Sequence, residues 1–272
     1  MTTTLRLTKH HGLGNDFLVV IDPPVDGDAR LAELARQVCD RRRGIGADGL
    51  LVATGIGDAL VQMVLYNADG SRPEMSGNGI RCFAQAVVAA NGSLAAELRV
   101  RTDAGERVVA VAPTEDPATI LASVDMGPVE PIGPPDHWDE LGCHPDRPVA
   151  HLSVGNPHSV VGVEDVDAVD LRALGEKVPT INLEIVEPGE HQHHIRMRVH
   201  ERGAGITEAC GTGACAAAVA AAGWGLATPR DGKLIVEMDG GSATVELESP
   251  TPGRVTLTGP ATYVGTIEIE IA

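Results

Sequence analysis

Two stretches of this chain carry small nucleophilic side chains in matching positions. Residues 67–82 read NADGSRPEMSGNGIRC and residues 201–216 read ERGAGITEACGTGACA, so that Ser76 in the first corresponds to Cys210 in the second. Each stretch leads through a Gly-rich turn into an apolar helix, and the start of a helix presents unpaired backbone N–H groups and a partial positive charge. Two such helix starts can hold a carboxylate, while Ser76 and Cys210 can act on one small molecule from both sides.

Cys210 is the clearer candidate for a reactive group. It comes directly before the sequence GTG at a predicted helix start, where the N–H groups favour a thiolate and are expected to lower the thiol pKa from about 8.5 toward neutrality. The alternative is that Cys210 is a small buried residue, which is the commoner role of a single cysteine. We favour the reactive thiol, because a cysteine in front of such a turn packs little. Cys82 and Cys215 fall inside the two helices and are expected to be packing residues.

The elements around the two stretches occur in the same order twice. A Gly-Asn turn at Asn15 precedes one strand-like run, and another at Asn156 precedes a second. Each run is followed by a helix candidate with apolar residues three and four apart, at 28–42 and 167–178. Two strands and one of the nucleophile-bearing stretches come next in both halves. The order predicts one mixed α and β domain that has been duplicated and fused.

The helix predicted at 214–227 contains little bulk, so strands can approach it closely on nearly every side, and the helix predicted at 79–90 is similar but bulkier. Both are therefore expected to be central helices wrapped by curved sheets. Further runs toward the C-terminus, such as ATVELE and TIEIEI, alternate apolar with polar residues and predict half-buried antiparallel strands.

The domain boundary is expected near the Pro-containing stretch APTEDPAT at 112–119, because polar stretches with proline are typical of linkers. This gives an N-terminal half of 1–117 and a C-terminal half of 118–262. The last strand, about 263–272, is expected to return to the N-terminal half.

Composition excludes several classes of protein. The chain has 272 residues, which suits two domains, and its formal net charge of -17 repels nucleic acid and anionic membranes. The five cysteines include no CxxC pair, so neither a disulfide framework nor a zinc site is indicated. No run has the length of a membrane span, and the N-terminus lacks the apolar core of a secretion signal. A cytoplasmic location is the resulting expectation.

Six motifs in series resemble those of the diaminopimelate epimerase family. They are HGLGNDF at 11–17, RRGIGADG at 42–49, NADGS at 67–71, MSGNGIRC at 75–82, GNPH at 155–158 and the stretch at 201–216. The resemblance implies an α+β fold similar to that of proline racemases, with two pseudo-symmetric domains, each a curved, mostly antiparallel sheet (half-barrel) around a central helix. It also implies a homodimer that epimerises LL-diaminopimelate to the meso form, on the route to lysine and peptidoglycan, without pyridoxal phosphate or metal.

The resemblance also assigns roles to residues of this sequence. The proton-carrying pair is implied at positions 76 and 210, with His158 and Glu201 tuning the protonation of that pair. Inverting an α-carbon requires one group on each face of a planar carbanion, which is consistent with a duplicated helix start. The implied substrate ligands, with Glu201 among them, are Asn15, Asn67, Gly77, Asn78, Asn156, Asn182, Glu201, Arg202, Gly211 and Thr212.

Position 76 departs from the family, which has cysteine at both catalytic positions. A hydroxyl is a far weaker acid than a thiol, so Ser76 is a poor acceptor of a proton from carbon, although it can still donate one. Three explanations remain open: an introduced substitution, a natural one like the Ser and Cys pair of related hydroxyproline epimerases, or a shift to another substrate. We favour an epimerase, natural or engineered, since the substrate-binding pattern otherwise matches.

Other classes of function stay open on the sequence. An isomerase of the phenazine-pathway type shares the architecture but relies on a carboxylate, and the intact ACGTGACA argues against it. A catalytically weakened diaminopimelate-binding protein would keep the Asn and Arg ligands, and Ser76 is one step in that direction. A metal is indicated only by His191, His193 and His194, for which a solvated loop is the favoured interpretation.

Overall fold

The computed structural model describes residues 3–55, 60–93, 96–248 and 253–271. The chain divides into two compact units. The first consists of Met1–Val124 with Gly259–Ala272, and the second of Asp125–Thr258. Two long strands, β7 (Thr119–Pro128) and β16 (Arg254–Ile271), contribute residues to both units.

The first unit contains two helices and a sheet of mostly antiparallel strands. Its further elements are β1 (Thr3–Gly12), β2 (Asn15–Ile21), α1 (Asp28–Cys39), β3 (Gly49–Thr54), β4 (Val61–Asn67), α2 (Gly77–Ala90), β5 (Ala96–Thr102) and β6 (Gly105–Pro113). The strands follow one another from β1 to β7 and then to β16, which also pairs with β1. The path therefore returns to its start. The stretch APTEDPAT lies in the hairpin between β6 and β7.

The second unit repeats this order and adds two short strands. One lies at the end of the strand path and the other pairs beside it. Its elements are β8 (Glu130–Pro131), a 3-10 turn (Trp138–Leu141), β9 (Val149–Ser153), β10 (Pro157–Gly162), α3 (Leu171–Gly175), β11 (Asn182–Pro188), β12 (His194–Glu201), β13 (Gly205–Thr207), α4 (Gly211–Trp224), β14 (Lys233–Met238) and β15 (Gly241–Glu246). The strand order is β16-β15-β14-β12-β11-β10-β9-β8, with β13 paired to β12.

Strand pairing has the same sense at corresponding places in the two units. The pairs β2·β3 and β4·β5 are parallel, as are β10·β11 and β12·β14. The other pairs on both paths that have a described register are antiparallel. This repeated pattern confirms the predicted α+β fold of two similar halves with mostly antiparallel sheets.

One apolar helix lies at the centre of each sheet. In the first unit α2 contacts β1, β2, β3, β4 and β6, and every residue from 77 to 88 is buried. In the second unit α4 contacts six strands, from β9 to β15, and residues 211–218 are all buried. Alanine and glycine make this possible, because a backbone without large side chains lets strands approach closely. The predicted central helices are confirmed.

The outer faces of the sheets carry the other helices. Leu34 and Val38 of α1 pack with Leu7, Leu18 and Leu50 from the face of the first sheet opposite α2. A second cluster covers the outer face in the second unit, where α3 is much shorter than the helix predicted at 167–178. Asp170 caps α3. Gly175, the last residue of α3, lies against the ring of His200, so that a Cβ on Gly175 would be 2.1 Å from Cγ of His200.

Among the described residues, no helix is long and apolar enough to cross a membrane.

Candidate active site

Ser76 is the N-cap residue of α2. Its backbone is extended (φ -138°, ψ 119°), and its Oγ accepts a hydrogen bond of 3.0 Å from the backbone N–H of Gly79. Side chains of this type cap helices because they satisfy a first-turn N–H that has no partner inside the helix. The half-buried hydroxyl is therefore held in one place by the helix itself.

A network of amides lies beside the start of α2. Asn78 Nδ2 donates to Asn15 Oδ1 at 3.3 Å, and Asn15 Nδ2 donates to Asp48 Oδ2 at 2.6 Å. Asn78 Oδ1 accepts from Nη2 of Arg81, a fully buried side chain one turn further along α2, at 2.8 Å. The structure thus brings Asn15 and Asn78 together and fixes both by neighbours that the sequence did not single out.

Asn67 lies at the same edge of the first sheet as Asn15. Gly49 pairs with Phe17 near the start of β2 and with Asn67 at the end of β4, so the two strand ends meet on either side of β3. The exposed Asn67 side chain donates to Ser71 Oγ at 2.9 Å. The first unit therefore gathers the predicted ligands Asn15, Asn67 and Asn78 at one sheet edge.

Cys210 holds the corresponding position in the second unit. It is the N-cap of α4, with an extended backbone (φ -126°, ψ 114°), and its Sγ accepts from the N–H of Gly213 at 3.3 Å. Thr212 Oγ1 lies 3.5 Å from the same sulfur. The thiol is only 4% exposed. Ser76 and Cys210 are thus equivalent in backbone conformation and in the hydrogen bond that each accepts.

Burial has the larger influence on the acidity of Cys210. It raises the thiol pKa well above its ordinary value, and the carboxyl groups of Glu201 and Glu184 raise it further. The hydrogen bonds from Thr212 and Gly213 act in the opposite direction. The expected shift toward neutrality is therefore wrong, because removal from water outweighs the stabilisation that the first-turn N–H groups give a thiolate. Burial therefore favours the protonated thiol of Cys210 over the thiolate.

His158 is fully buried in β10. Its Nδ1 lies 2.7 Å from Glu184 Oε1, and its Nε2 lies 3.0 Å from Oδ1 of Asn156 in the preceding turn. Asn156 Nδ2 in turn donates to Thr212 Oγ1 at 3.3 Å. These contacts connect the GNPH motif to the start of α4.

Asn182, Glu201 and Arg202 lie on the neighbouring strands. Asn182 Nδ2 donates to the carbonyl of Pro157 at 3.0 Å, and its Oδ1 accepts from the backbone N–H of Arg202 at 2.9 Å. Glu201 Oε1 accepts from the hydroxyl of Thr207. Asn182 therefore connects the first residue of β10 with the end of β12, where the exposed Arg202 begins a turn.

Sequence reasoning missed Glu184 and Arg81, the two buried charged residues of these networks. Glu184 lies two residues after Asn182, so strand alternation places both on one face of β11. The acidic residue inside the otherwise apolar run LEIV (183–186) was the available signal. Arg81 stood within the quoted motif MSGNGIRC, and its helical spacing of three from Asn78 predicts their contact.

The described residues contain no group of three or more His, Cys, Asp or Glu side chains with a geometry that could hold a metal ion. The rings of His191, His193 and His194 contact one another edge-on or stacked, with centroids 4.4–6.0 Å apart. His194 Nδ1 also lies 2.6 Å from Glu237 Oε1.

Two solved structures show which class of fold this is. One is a phenazine biosynthesis protein of the PhzF family from Bacillus anthracis, with a TM-score of 0.76, 16% identity, and coverage of 99% of this chain and 100% of that one. The other is a hydroxyproline epimerase from Agrobacterium vitis with bound trans-4-hydroxy-L-proline, with a TM-score of 0.70, 16% identity, and coverage of 98% and 93%. The chain has the fold that these two proteins share.

Sequence similarity gives the family within that fold. The family model for diaminopimelate epimerase matches residues 7–132 and 151–264. A diaminopimelate epimerase of Synechococcus elongatus is 40% identical over 293 aligned positions, which cover 99% of each chain. The chain belongs to the diaminopimelate epimerase family, which confirms the resemblance of the six motifs.

The close approach of Glu184 to α4 gives a test of the site geometry. A Cβ on Gly213 would lie 2.6 Å from Glu184 Oε1 and 3.3 Å from Cys210 Sγ, whereas a Cβ on Gly223 of the same helix would contact nothing within 4 Å. We expect Gly213→Ala to lower the free energy of unfolding by about 1–3 kcal/mol through overpacking. Gly223→Ala, the matched control, should raise it by about 0.5–1 kcal/mol. Urea titrations that give both variants the same stability would contradict this geometry.

Proposed function

We propose that this protein is a cofactor-independent epimerase that interconverts LL- and meso-2,6-diaminopimelate by transferring protons to and from the α-carbon. The observation that carries the proposal is the equivalence of Ser76 and Cys210, each an N-cap that accepts the N–H three residues later. Membership of the family supports the substrate. The reaction belongs to the biosynthesis of lysine and peptidoglycan precursors.

The proposed reaction needs one proton carrier for each face of a planar carbanion. One group removes the α-proton while the other delivers a proton to the opposite face. Cys210 from the second unit would serve one face and Ser76 from the first unit the other. First-turn N–H groups are suited to hold the substrate α-carboxylate and to stabilise the charge that develops on it in the transition state.

His158 and Glu201 would tune Cys210, since Glu201 raises the thiol pKa and His158 is connected to Thr212 through Asn156. Arg202 would bind the distal carboxylate of the substrate with two parallel hydrogen bonds. The amide side chains can donate to a carboxylate and accept from an ammonium group. The other proposed substrate ligands are Asn15, Asn67, Gly77, Asn78, Asn156, Asn182, Glu201, Gly211 and Thr212.

A second candidate is an epimerase for a different amino acid, or a diaminopimelate-binding protein with weakened catalysis. Ser76 is the observation that favours it, since a hydroxyl is a poorer proton acceptor than a thiol. Solvent deuterium exchange separates these functions. Exchange into diaminopimelate supports the first proposal, exchange only into another amino acid supports the second epimerase, and tight diaminopimelate binding without exchange supports a binding protein.

Replacing the thiol tests the role of Cys210. Cys210→Ala should lower α-proton exchange with deuterium oxide by about 100- to 10,000-fold, the contribution of a positioned acid or base. Exchange is measured by proton NMR, separately from LL- and from meso-diaminopimelate. Cys215→Ala removes another buried thiol of α4 and should leave exchange unchanged. Exchange that persists in Cys210→Ala would remove Cys210 from the mechanism.

Restoring the family's thiol tests the role of Ser76. Ser76→Cys, assayed with reductant, should raise turnover on LL-diaminopimelate, because a thiolate accepts a proton from carbon far better than a hydroxyl does. Either side chain can cap α2, so stability should change little. Ser76→Ala is the opposing control and should lose both turnover and about 1 kcal/mol of stability with the cap. Equal or lower turnover in Ser76→Cys would contradict the view of Ser76 as a weakened thiol.

We also infer a cytoplasmic homodimer that does not bind nucleic acid. Five free cysteines suit a reducing compartment, and a net charge of -17 repels nucleic acid. Exposed Tyr263 and Val264, at 39% and 57%, provide an apolar patch on β16 for a second copy.

The homodimer is tested by sedimentation velocity. We expect a particle of twice the 28.3 kDa chain mass for the unchanged protein and a monomer for Val264→Asp. Val108→Asp changes an exposed valine of β6 and serves as the control. A monomeric unchanged protein at micromolar concentration would refute the inference.

A further inference from the structure

The carboxyl group of Glu184 ends a hydrogen-bonded chain that begins at Cys210. Cys210 Sγ lies 3.5 Å from Thr212 Oγ1, which accepts from Asn156 Nδ2 at 3.3 Å. Asn156 Oδ1 lies 3.0 Å from His158 Nε2, and His158 Nδ1 lies 2.7 Å from Glu184 Oε1. Every link is within one unit, and the roles proposed above make no use of Glu184.

The directions of these hydrogen bonds can be deduced from the amide. Because Asn156 Nδ2 donates to Thr212, the oxygen Oδ1 faces His158, and His158 Nε2 must donate to it. One proton then remains between His158 Nδ1 and Glu184 Oε1. The pair is either an imidazolium with a carboxylate or a neutral imidazole with a carboxylic acid, and its net charge is zero in both states.

Burial favours a pair that stays neutral as a whole. Both side chains are 0% exposed, and Glu184 Oε2 has no hydrogen-bond partner among the described residues. Removal of one proton from the pair would leave a single buried charge, which is far more costly than a neutral pair. The groups that face Glu184 are His158 from β10, Glu201 from β12 and Cys210 from α4. Burial raises the pKa of Glu184 and Glu201 adds to this, while His158 opposes it.

We propose that Glu184 is a positioning residue of the Cys210 half of the site, which shares one proton with His158 and thereby fixes the direction of every hydrogen bond up to Cys210. With Nε2 of His158 always a donor, the Asn156 amide has one orientation. Thr212 then accepts from Asn156 and directs its own O–H at Sγ, where it stabilises the thiolate that forms when Cys210 gives up its proton. For turnover, this inference rests on the proposed epimerase function.

Glu184→Gln tests the inference with little change of shape. A glutamine cannot ionise and can present either an N–H or a carbonyl to Nδ1, so the shared proton is lost. We expect kcat on diaminopimelate to fall about 10- to 100-fold with KM little changed, the effect of one hydrogen bond to a charged group. The limbs of the pH profile of kcat/KM should shift as well. Glu187→Gln is the matched control. It changes another carboxylate of β11, which accepts from Val166 N–H at 2.7 Å, and should have the same kcat as the unchanged protein.

A double-mutant cycle and a spectroscopic readout separate positioning from a merely structural role. His158→Gln and Glu184→Gln should be strongly non-additive, with the double variant little worse than the poorer single one. In ¹⁵N-histidine spectra, assigned by loss of a signal in His158→Gln, the His158 Nε2 signal of the unchanged protein should be that of a protonated ring nitrogen. In Glu184→Gln, where Nδ1 can either accept from the amide N–H or donate to the amide carbonyl, the Nε2 signal should show partial loss of that proton.

Two results would overturn the inference. One is a His158 Nε2 signal of an unprotonated ring nitrogen in the unchanged protein. The other is a kcat for Glu184→Gln equal to that of Glu187→Gln. An unchanged protein that shows no α-proton exchange, together with the expected histidine spectra, would refute the proposed function and leave the Glu184–His158 assignment standing.

Discussion

The structure depends on the unpaired N–H groups at the start of two enclosed helices. Each helix is covered by strands along its sides, and its first N–H groups have no partner within the helix. In α2 the acceptor is Ser76 Oγ and in α4 it is Cys210 Sγ. The bond that caps the helix therefore also fixes the position of the side chain that we propose as a proton carrier.

Enclosure has a second consequence for the α4 half of the site. The thiol of Cys210 is removed from water and lies near the carboxyl groups of Glu201 and Glu184, so its pKa rises. A thiol with a raised pKa is a weaker acid, unless hydrogen-bond donors stabilise the thiolate that forms when it loses its proton. Gly213 N–H and Thr212 O–H are the available donors, and the second depends on the chain through Asn156 and His158. The buried polar residues of this unit thus compensate for the burial that positions the sulfur.

Local sequence signals predicted much of this structure. The duplication and the central helices follow from motif order and from helix or strand spacing, whereas Asn15 and Asn78 were grouped only through the family resemblance. The predictions that failed depend on tertiary surroundings. The sign of the Cys210 pKa shift is set first by burial, to which Glu184 from β11 and Glu201 from β12 add. The helix expected at 167–178 spans only Leu171–Gly175, since Asp170 caps its start and Gly175, at its end, lies against the ring of His200 from β12. Neither contact is visible from local spacing.

The pair of Ser76 and Cys210 shows why a duplicated fold tolerates unlike groups. Both side chains have the same extended backbone, and their hydrogen bonds from Gly79 and Gly213 measure 3.0 and 3.3 Å. A hydroxyl and a thiol therefore satisfy the helix equally well. They differ in acidity, which the helix cap does not require. The fold does not require sulfur at position 76, so oxygen there is compatible with the architecture, and its consequence falls on the proton transfer that we propose.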